Sequence, residues 1–156
     1  MVATETFLRV RDYDLAATLD SGQAFRWQKQ KDSWVGVIGK HQVRLTQTPG
    51  GIRASTATPV ENWDWLRQFL QTDVDLAAVL KTFPDDEPMR AAVVACPGLR
   101  LLRQNPWECL ASFILSSTKQ IIQIRQIIAL LCERFGEPVS SLSSPKGGEG
   151  RGEEAD

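Results

Sequence analysis

The segment SGQAFRW, Ser21–Trp27, is where this 156-residue chain changes from turn to strand, and it decides how the first third folds. Ser21 and Gly22 are turn residues, and glycine can adopt positive φ or let another group approach the backbone closely. Phe25 and Trp27 stand two residues apart, so in an extended chain both rings face the same side. These residues alone favour a structural interpretation, in which a turn feeds an edge strand held by two aromatic rings.

Alternating apolar residues around this segment predict an antiparallel sheet. Strands are expected at residues 6–10, 34–38, 41–48 and 52–56, the last of them the weakest. The connections between the later strands are short and rich in turn residues, and short connections imply antiparallel neighbours. Asp14 is placed to cap a short helix over 15–19, which leads the chain into SGQAFRW.

Helical spacing replaces the two-residue alternation after this sheet. Thr58 and Pro59 are expected to cap and open a helix whose apolar stripe runs to Leu70. Asp75 is expected to cap a second helix, and Pro88 to open a third. We expect all three helices to cover one face of the sheet.

A stronger pair of helices is predicted next. In Asn105-Pro106-Trp107-Glu108, asparagine is a cap, proline suits the first helical position and glutamate lies three residues after the cap. A second apolar run over 121–135 ends at Gly136. The polar junction between the two helices, residues 116–120, is by default a solvated corner.

Composition narrows the class of protein. The 18 Lys and Arg nearly balance the 19 Asp and Glu, and no basic cluster stands out beyond Arg100, Arg103, Lys119 and Arg125, so charge does not indicate a nucleic-acid partner. No apolar run approaches the ~20 residues of a membrane span, and no signal pattern opens the chain. We expect an intracellular protein, cytoplasmic if bacterial and nuclear if eukaryotic, that does not bind membranes. Three cysteines with no close pair argue against disulfides and zinc, and no metal or cofactor is expected.

The chain divides by pattern into three parts. Residues 1–98 form the sheet-and-helix domain, and 99–138 form the later helices. From 139 to 156 the composition changes to glycine, serine and acidic residues. Such a segment cannot bury enough apolar surface to become ordered, so this tail is expected to be disordered.

Three segments carry a resemblance to a known family. SGQAFRW, FLQTDVDLAAVL at 69–80 and LRLLRQNPWECLASFILSSTKQI at 99–121 resemble, in this order, the N-terminal half of 8-oxoguanine DNA glycosylases. The resemblance covers about 7–138. It implies an α+β fold, in which an antiparallel sheet like that of the TATA-binding protein, with packing helices, leads into the first helices of a helix-hairpin-helix domain. It also implies base-excision repair, with recognition and removal of 8-oxoguanine from duplex DNA by a monomeric glycosylase and lyase.

The resemblance gives SGQAFRW a chemical role. Guanine N7 is a hydrogen-bond acceptor, whereas the oxidised base carries a hydrogen there. In the family, the carbonyl of the glycine matching Gly22 accepts that hydrogen from the flipped base. Ser21, Gly22 and Gln23 are therefore expected to bind the lesion base, and a Cβ at Gly22 to crowd the pocket. Phe25 and Trp27 are expected to support the loop from behind.

The resemblance also implies a role for the polar junction at residues 116–120. Relatives carry asparagines in this turn, which fill the space of the flipped nucleotide and touch its partner base. This chain has Thr118, Lys119 and Gln120 instead. We expect Lys119 to meet phosphate, Gln120 to make amide contacts with the opposite base, and Thr118 to lie beside them.

The family's nucleophilic lysine and assisting aspartate have no match in this sequence. Their hairpin motif would follow residue 138, and neither Lys119 nor Lys146 has matching surroundings. No catalytic residue is therefore assigned. We expect an N-terminal portion that is inactive alone, ended by truncation, frameshift or a gene-model boundary. The alternatives are an alkylated-base DNA glycosylase that shares the fold, and a non-catalytic module that binds damaged DNA or another protein.

Overall fold

Five strands and six helices make up the part of the chain that the computed structural model describes, residues 3–142. The strands are β1 (Ala3–Arg9), β2 (Trp27–Gln30), β3 (Ser33–Ile38), β4 (His41–Thr48) and β5 (Gly51–Val60). The helices are α1 (Leu15–Asp20), α2 (Asp64–Leu70), α3 (Leu76–Leu80), α4 (Glu87–Ala95), α5 (Pro106–Ser116) and α6 (Ile121–Phe135).

The strands form one antiparallel sheet in the order β1-β5-β4-β3-β2, which confirms the predicted architecture. SGQAFRW does feed an edge strand, because β2 begins at Trp27 and pairs only with β3 among the described strands. One face of the sheet is buried against α1 and α2. The central core residues are Leu8, Leu15, Leu19, Val43, Leu45, Ile52, Ala54, Leu66 and Leu70.

The predicted start of helix α2, at Pro59, is wrong. Strand β5 is ten residues long and continues to Val60, which pairs with Ala3 of β1. Its pairing with β4 ends at Thr56, so Pro59 lies where β4 no longer needs a backbone donor. Helix α2 begins only at Asp64. Strand β5, predicted at 52–56 as the weakest strand, is internal to the sheet, between β1 and β4.

The expectation that every helix covers the sheet holds for α2 but not for α3 and α4. Helix α3 begins as predicted, with Asp75 accepting from the backbone N–H of Ala78. Helix α4 begins at Glu87, one residue before the predicted Pro88, and Asp86 caps it by accepting from the backbone N–H of Met89. Neither helix contains a buried residue. Apolar side chains of both helices instead line a shared groove.

The segment after α4 returns to the sheet domain. Gly98 accepts a hydrogen bond from the Asp14 backbone N–H (2.8 Å), and Leu102 is part of the core. The Arg100 side chain is only 5% exposed, and its guanidinium donates to the backbone carbonyls of Val74, Arg11 and Asp12. Arg100 is therefore a structural cation, and the domain division at residue 98 stays a prediction.

Helices α5 and α6 have the predicted bounds. Asn105 caps α5 by accepting from the backbone N–H groups of Trp107 and Glu108. Only Ile124 and Ile128 of this pair are buried. The pair consequently exposes a broad apolar face, formed by Trp107, Leu110, Phe113, Ile114, Ile122, Leu130 and Phe135.

Three further expectations concern the tail, membrane spans and metal binding. The predicted disordered tail lies outside the described residues from position 143 onward. None of the helices between residues 3 and 142 is long and apolar enough to cross a membrane. Within the same range, no three His, Cys, Asp or Glu side chains are grouped so that they could hold a metal ion.

Candidate functional site

Gly22 lies in a bent loop directly after α1, with φ at +84°. This left-handed conformation disfavours any residue with a side chain. An ideal Cβ at Gly22 meets no atom within 4 Å in the part of the chain described. Within the described chain, the backbone conformation is therefore what requires glycine. The predicted crowding of a bound base by a Cβ at Gly22 stays a prediction.

The carbonyl oxygen of Gly22 is available to an external donor. No backbone or side-chain group between residues 3 and 142 donates a hydrogen bond to it. Gly22 is half-buried, so part of this residue is accessible to solvent. A backbone acceptor that binds a ligand needs its carbonyl free of internal hydrogen bonds, and Gly22 meets this condition within the described residues.

The Gln23 side chain holds this loop against the segment that follows α4. Its amide nitrogen lies 2.8 Å from the Arg100 carbonyl oxygen and 3.1 Å from that of Thr18. Its amide oxygen accepts from the Leu102 backbone N–H at 2.8 Å. The amide is thus used within the protein and positions its neighbour Gly22, while the predicted base contact of Gln23 stays a prediction.

Ser21 ends helix α1 on the other side of Gly22. Its hydroxyl donates to the Thr18 carbonyl at 3.0 Å and is 3.0 Å from the Gln23 amide nitrogen. Ser21 is exposed, so its hydroxyl also remains accessible. Its predicted contact with a lesion base is not tested by these bonds.

Phe25 and Trp27 follow the loop, and their predicted support of it stays a prediction. The Trp27 ring is 2% exposed, packs under Gly36 and lies 6.1 Å from the Phe69 ring, centroid to centroid. Phe25 is half-buried and precedes the strand, so the two residues do not share an extended segment. Both nevertheless line one cavity of about 370 Å³ between the loop and the helix pair.

The corner between α5 and α6 is tight and exposed. Thr118 has φ at +64°, a rare conformation for a β-branched residue. Lys119 donates its backbone N–H to Ser116 at 3.3 Å, and the Gln120 backbone N–H donates to the Gln123 side chain at 3.1 Å. All three corner side chains are exposed, and their predicted DNA contacts stay predictions.

Two ion pairs that sequence reasoning missed join the loop to the helix pair. Arg26 lies 3.0 Å from Glu108 on α5, and Arg125 on α6 lies 2.8 Å from Asp20, which ends α1. Glu108 was visible in the sequence only as a helix-start residue. The pairs join residues 82 and 105 positions apart, and no local pattern signals such contacts.

An antiparallel sheet with one buried face, a positive-φ glycine in the loop after α1 and an adjoining helix pair define an α+β domain of the kind found in DNA glycosylases. Residues 6–110 match the family described as 8-oxoguanine DNA glycosylase, N-terminal domain. This match covers more than half of the chain, and the chain belongs to that family.

Two curated relatives illustrate the similarity. The N-glycosylase/DNA lyase OGG1 of Arabidopsis thaliana is 33% identical over 121 residues, which cover 73% of this chain and 33% of that protein. The N-glycosylase/DNA lyase of Saccharomyces cerevisiae is 28% identical over 144 residues, covering 82% of this chain and 38% of its own length.

Solved structures show the same architecture. MBOgg1 in complex with a low-affinity DNA ligand has a TM-score of 0.83 at 28% identity, over 92% of this chain and 52% of that one. The apo form of the Clostridium acetobutylicum 8-oxoguanine glycosylase/lyase has a TM-score of 0.82 over the same shares, and at 23% identity it supports the fold alone. The chain thus spans about a third of the curated relatives and half of these structures.

Proposed function

We propose that this chain provides the lesion-reading part of an 8-oxoguanine DNA glycosylase and lyase. The observation that carries the proposal is the Gly22 carbonyl, which sits on a positive-φ turn and receives no hydrogen bond from residues 3–142. Oxidised guanine offers a hydrogen at N7, whereas normal guanine offers a lone pair. A buried mismatch of this kind costs about 1–3 kcal/mol.

The corner residues support a second contact, to the opposite strand. Lys119 is exposed and can neutralise a phosphate, and the Gln120 amide can bond to a base edge. Strained, exposed residues such as Thr118 recur at functional sites. The proposed partner is accordingly duplex DNA that contains oxidised guanine, bound by one copy of the chain.

Base removal and strand cleavage are proposed for a protein of the relatives' full length. Those relatives are named N-glycosylase/DNA lyases, and this chain spans about a third of each. No residue of this chain is proposed as the nucleophile. The proposed location follows the substrate, in the cytoplasm of a bacterium or the nucleus of a eukaryote.

The test is fluorescence anisotropy with two duplexes that differ only in one 8-oxoguanine. A gain of 1–3 kcal/mol corresponds to roughly a 5- to 150-fold preference, and extrusion of the base, which costs a few kcal/mol, reduces overall affinity. We expect at least a 5-fold preference for the oxidised duplex. Equal affinities would contradict lesion reading by this chain.

Two variants separate the proposed contacts. Lys119→Gln is expected to weaken binding of both duplexes equally and to lower the salt slope of binding by about one. Lys81→Gln, at the exposed residue that directly follows α3, is the matched control. Borohydride trapping on the oxidised duplex is expected to give no covalent adduct. An adduct that disappears in Lys119→Gln would show instead that this lysine is the nucleophile.

A further inference from the structure

The loop that carries Gly22 has an ion pair at each end. Asp20 immediately precedes the loop and pairs with Arg125 at 2.8 Å. Arg26 immediately precedes β2 and pairs with Glu108 at 3.0 Å. The five residues 21–25 therefore lie between two charged attachments.

The two attachments reach different helices. Glu108 lies in the first turn of α5, and Arg125 lies in the second turn of α6. The Thr118–Gln120 corner is the connection between those helices. The loop is thus fixed to the same pair of helices that sets the position of the corner.

The Arg26–Glu108 pair is partly exposed, whereas in the Arg125–Asp20 pair only the arginine is partly exposed and the aspartate is exposed. The side chains are 30% and 37% exposed for Arg26 and Glu108, and 39% and 62% for Arg125 and Asp20. In contrast, Arg90 and Asp85 form a pair at 60% and 90% exposure near α4. Partly exposed pairs keep some of their Coulomb attraction, whereas highly exposed ones contribute little. The chain therefore contains its own control pair.

We propose that Asp20, Arg26, Glu108 and Arg125 are positioning residues that fix the Gly22 carbonyl relative to the Thr118–Gln120 corner. This inference rests on the proposed function, because it assigns the pairs to the geometry in which a damaged base and its partner are read together. Loss of a pair lets the carbonyl shift against the helices. The preference for oxidised DNA falls, while binding of normal duplex, which the carbonyl does not favour, stays the same.

The experiment compares Asp20→Asn, Glu108→Gln and the control Arg90→Gln with the unchanged chain. Residual dipolar couplings of the Gly22 amide, relative to those of α6, report the orientation of the loop without DNA. We expect both pair-breaking variants to change this coupling and to lower the 8-oxoguanine preference by about 2- to 5-fold, which corresponds to the upper part of the range measured for surface ion pairs. Arg90→Gln should change neither quantity.

Exchange of the two charges distinguishes positioning from general destabilisation. The double variant Asp20→Arg with Arg125→Asp restores the attraction with opposite polarity, so the coupling and the preference should both return toward the original values. An unchanged Gly22 coupling in Asp20→Asn and Glu108→Gln would overturn the inference, and so would failure of the exchanged pair to restore it. An unchanged chain with no preference for oxidised duplex would overturn the proposed function instead, and the coupling would still decide the inference.

Discussion

Replacement of Gln23 by alanine should destabilise the fold because the side chain bonds to three main-chain groups. The lost bonds join its amide to the carbonyls of Thr18 and Arg100 and to the backbone N–H of Leu102. Each is worth roughly 0.5–1.5 kcal/mol, and a partly buried N–H left unpaired adds to the loss. We expect the free energy of unfolding to fall by about 2–4 kcal/mol, measured by urea denaturation followed through tryptophan fluorescence.

The isosteric variant Gln23→Glu tests which half of the amide matters. Its carboxylate can still accept from Leu102 but cannot donate to Thr18 or Arg100, so above its pKa it should be at least as destabilising as alanine. Protonation at low pH returns one donor and should recover part of the loss. A loss below about 0.5 kcal/mol in Gln23→Ala would refute a positioning role and favour direct base contact as the main use of this side chain.

Three further outcomes are expected. Gly36→Ala should lower the free energy of unfolding by about 2–3 kcal/mol in urea melts, because its Cβ would lie 2.5 Å from the buried Trp27 ring. Thr118→Asn should raise it by about 1 kcal/mol in the same assay, since asparagine tolerates positive φ better than a β-branched residue. Burial, with a smaller contribution from Lys40, lowers the pKa of His41 below its usual 6.5, so the unfolded chain binds the proton more readily. Stability should therefore fall as pH drops below about 6.5, and urea melts at pH 7.5 and 5 should show a smaller fall in His41→Phe.

Sequence predicted the features that depend on neighbouring residues. Asp14, Asp75 and Asn105 cap helices as expected because a cap needs only the next few backbone N–H groups. The helix start predicted at Pro59 was wrong because the structure there depends on a distant contact. The place of Pro59 in a strand depends on Val60 pairing with Ala3, a contact between the two ends of the sheet region that no local pattern contains.

In the candidate site too, local features were predicted from the sequence and long-range contacts were not. The turn at Gly22 was visible because its residue types favour positive φ. The contacts that fix the turn were not visible, since Gln23 meets the Arg100 carbonyl 77 residues away and Asp20 meets Arg125 at a separation of 105. Arg100 and Arg125 were noted only among the few basic residues that stand near one another in the sequence, yet one donates to buried carbonyls and the other forms an ion pair.

The buried guanidinium of Arg100 also bears on the order in which the protein can fold during synthesis. Its carbonyl partners at Arg11 and Asp12 leave the ribosome 88 to 89 residues before it does. Its own main chain binds Thr18 and Gln23, so the start of the domain stays without these partners until residue 100 emerges. The loop around Gly22 is translated early, but its hydrogen bonds to Arg100 and Leu102 can form only after those residues have emerged.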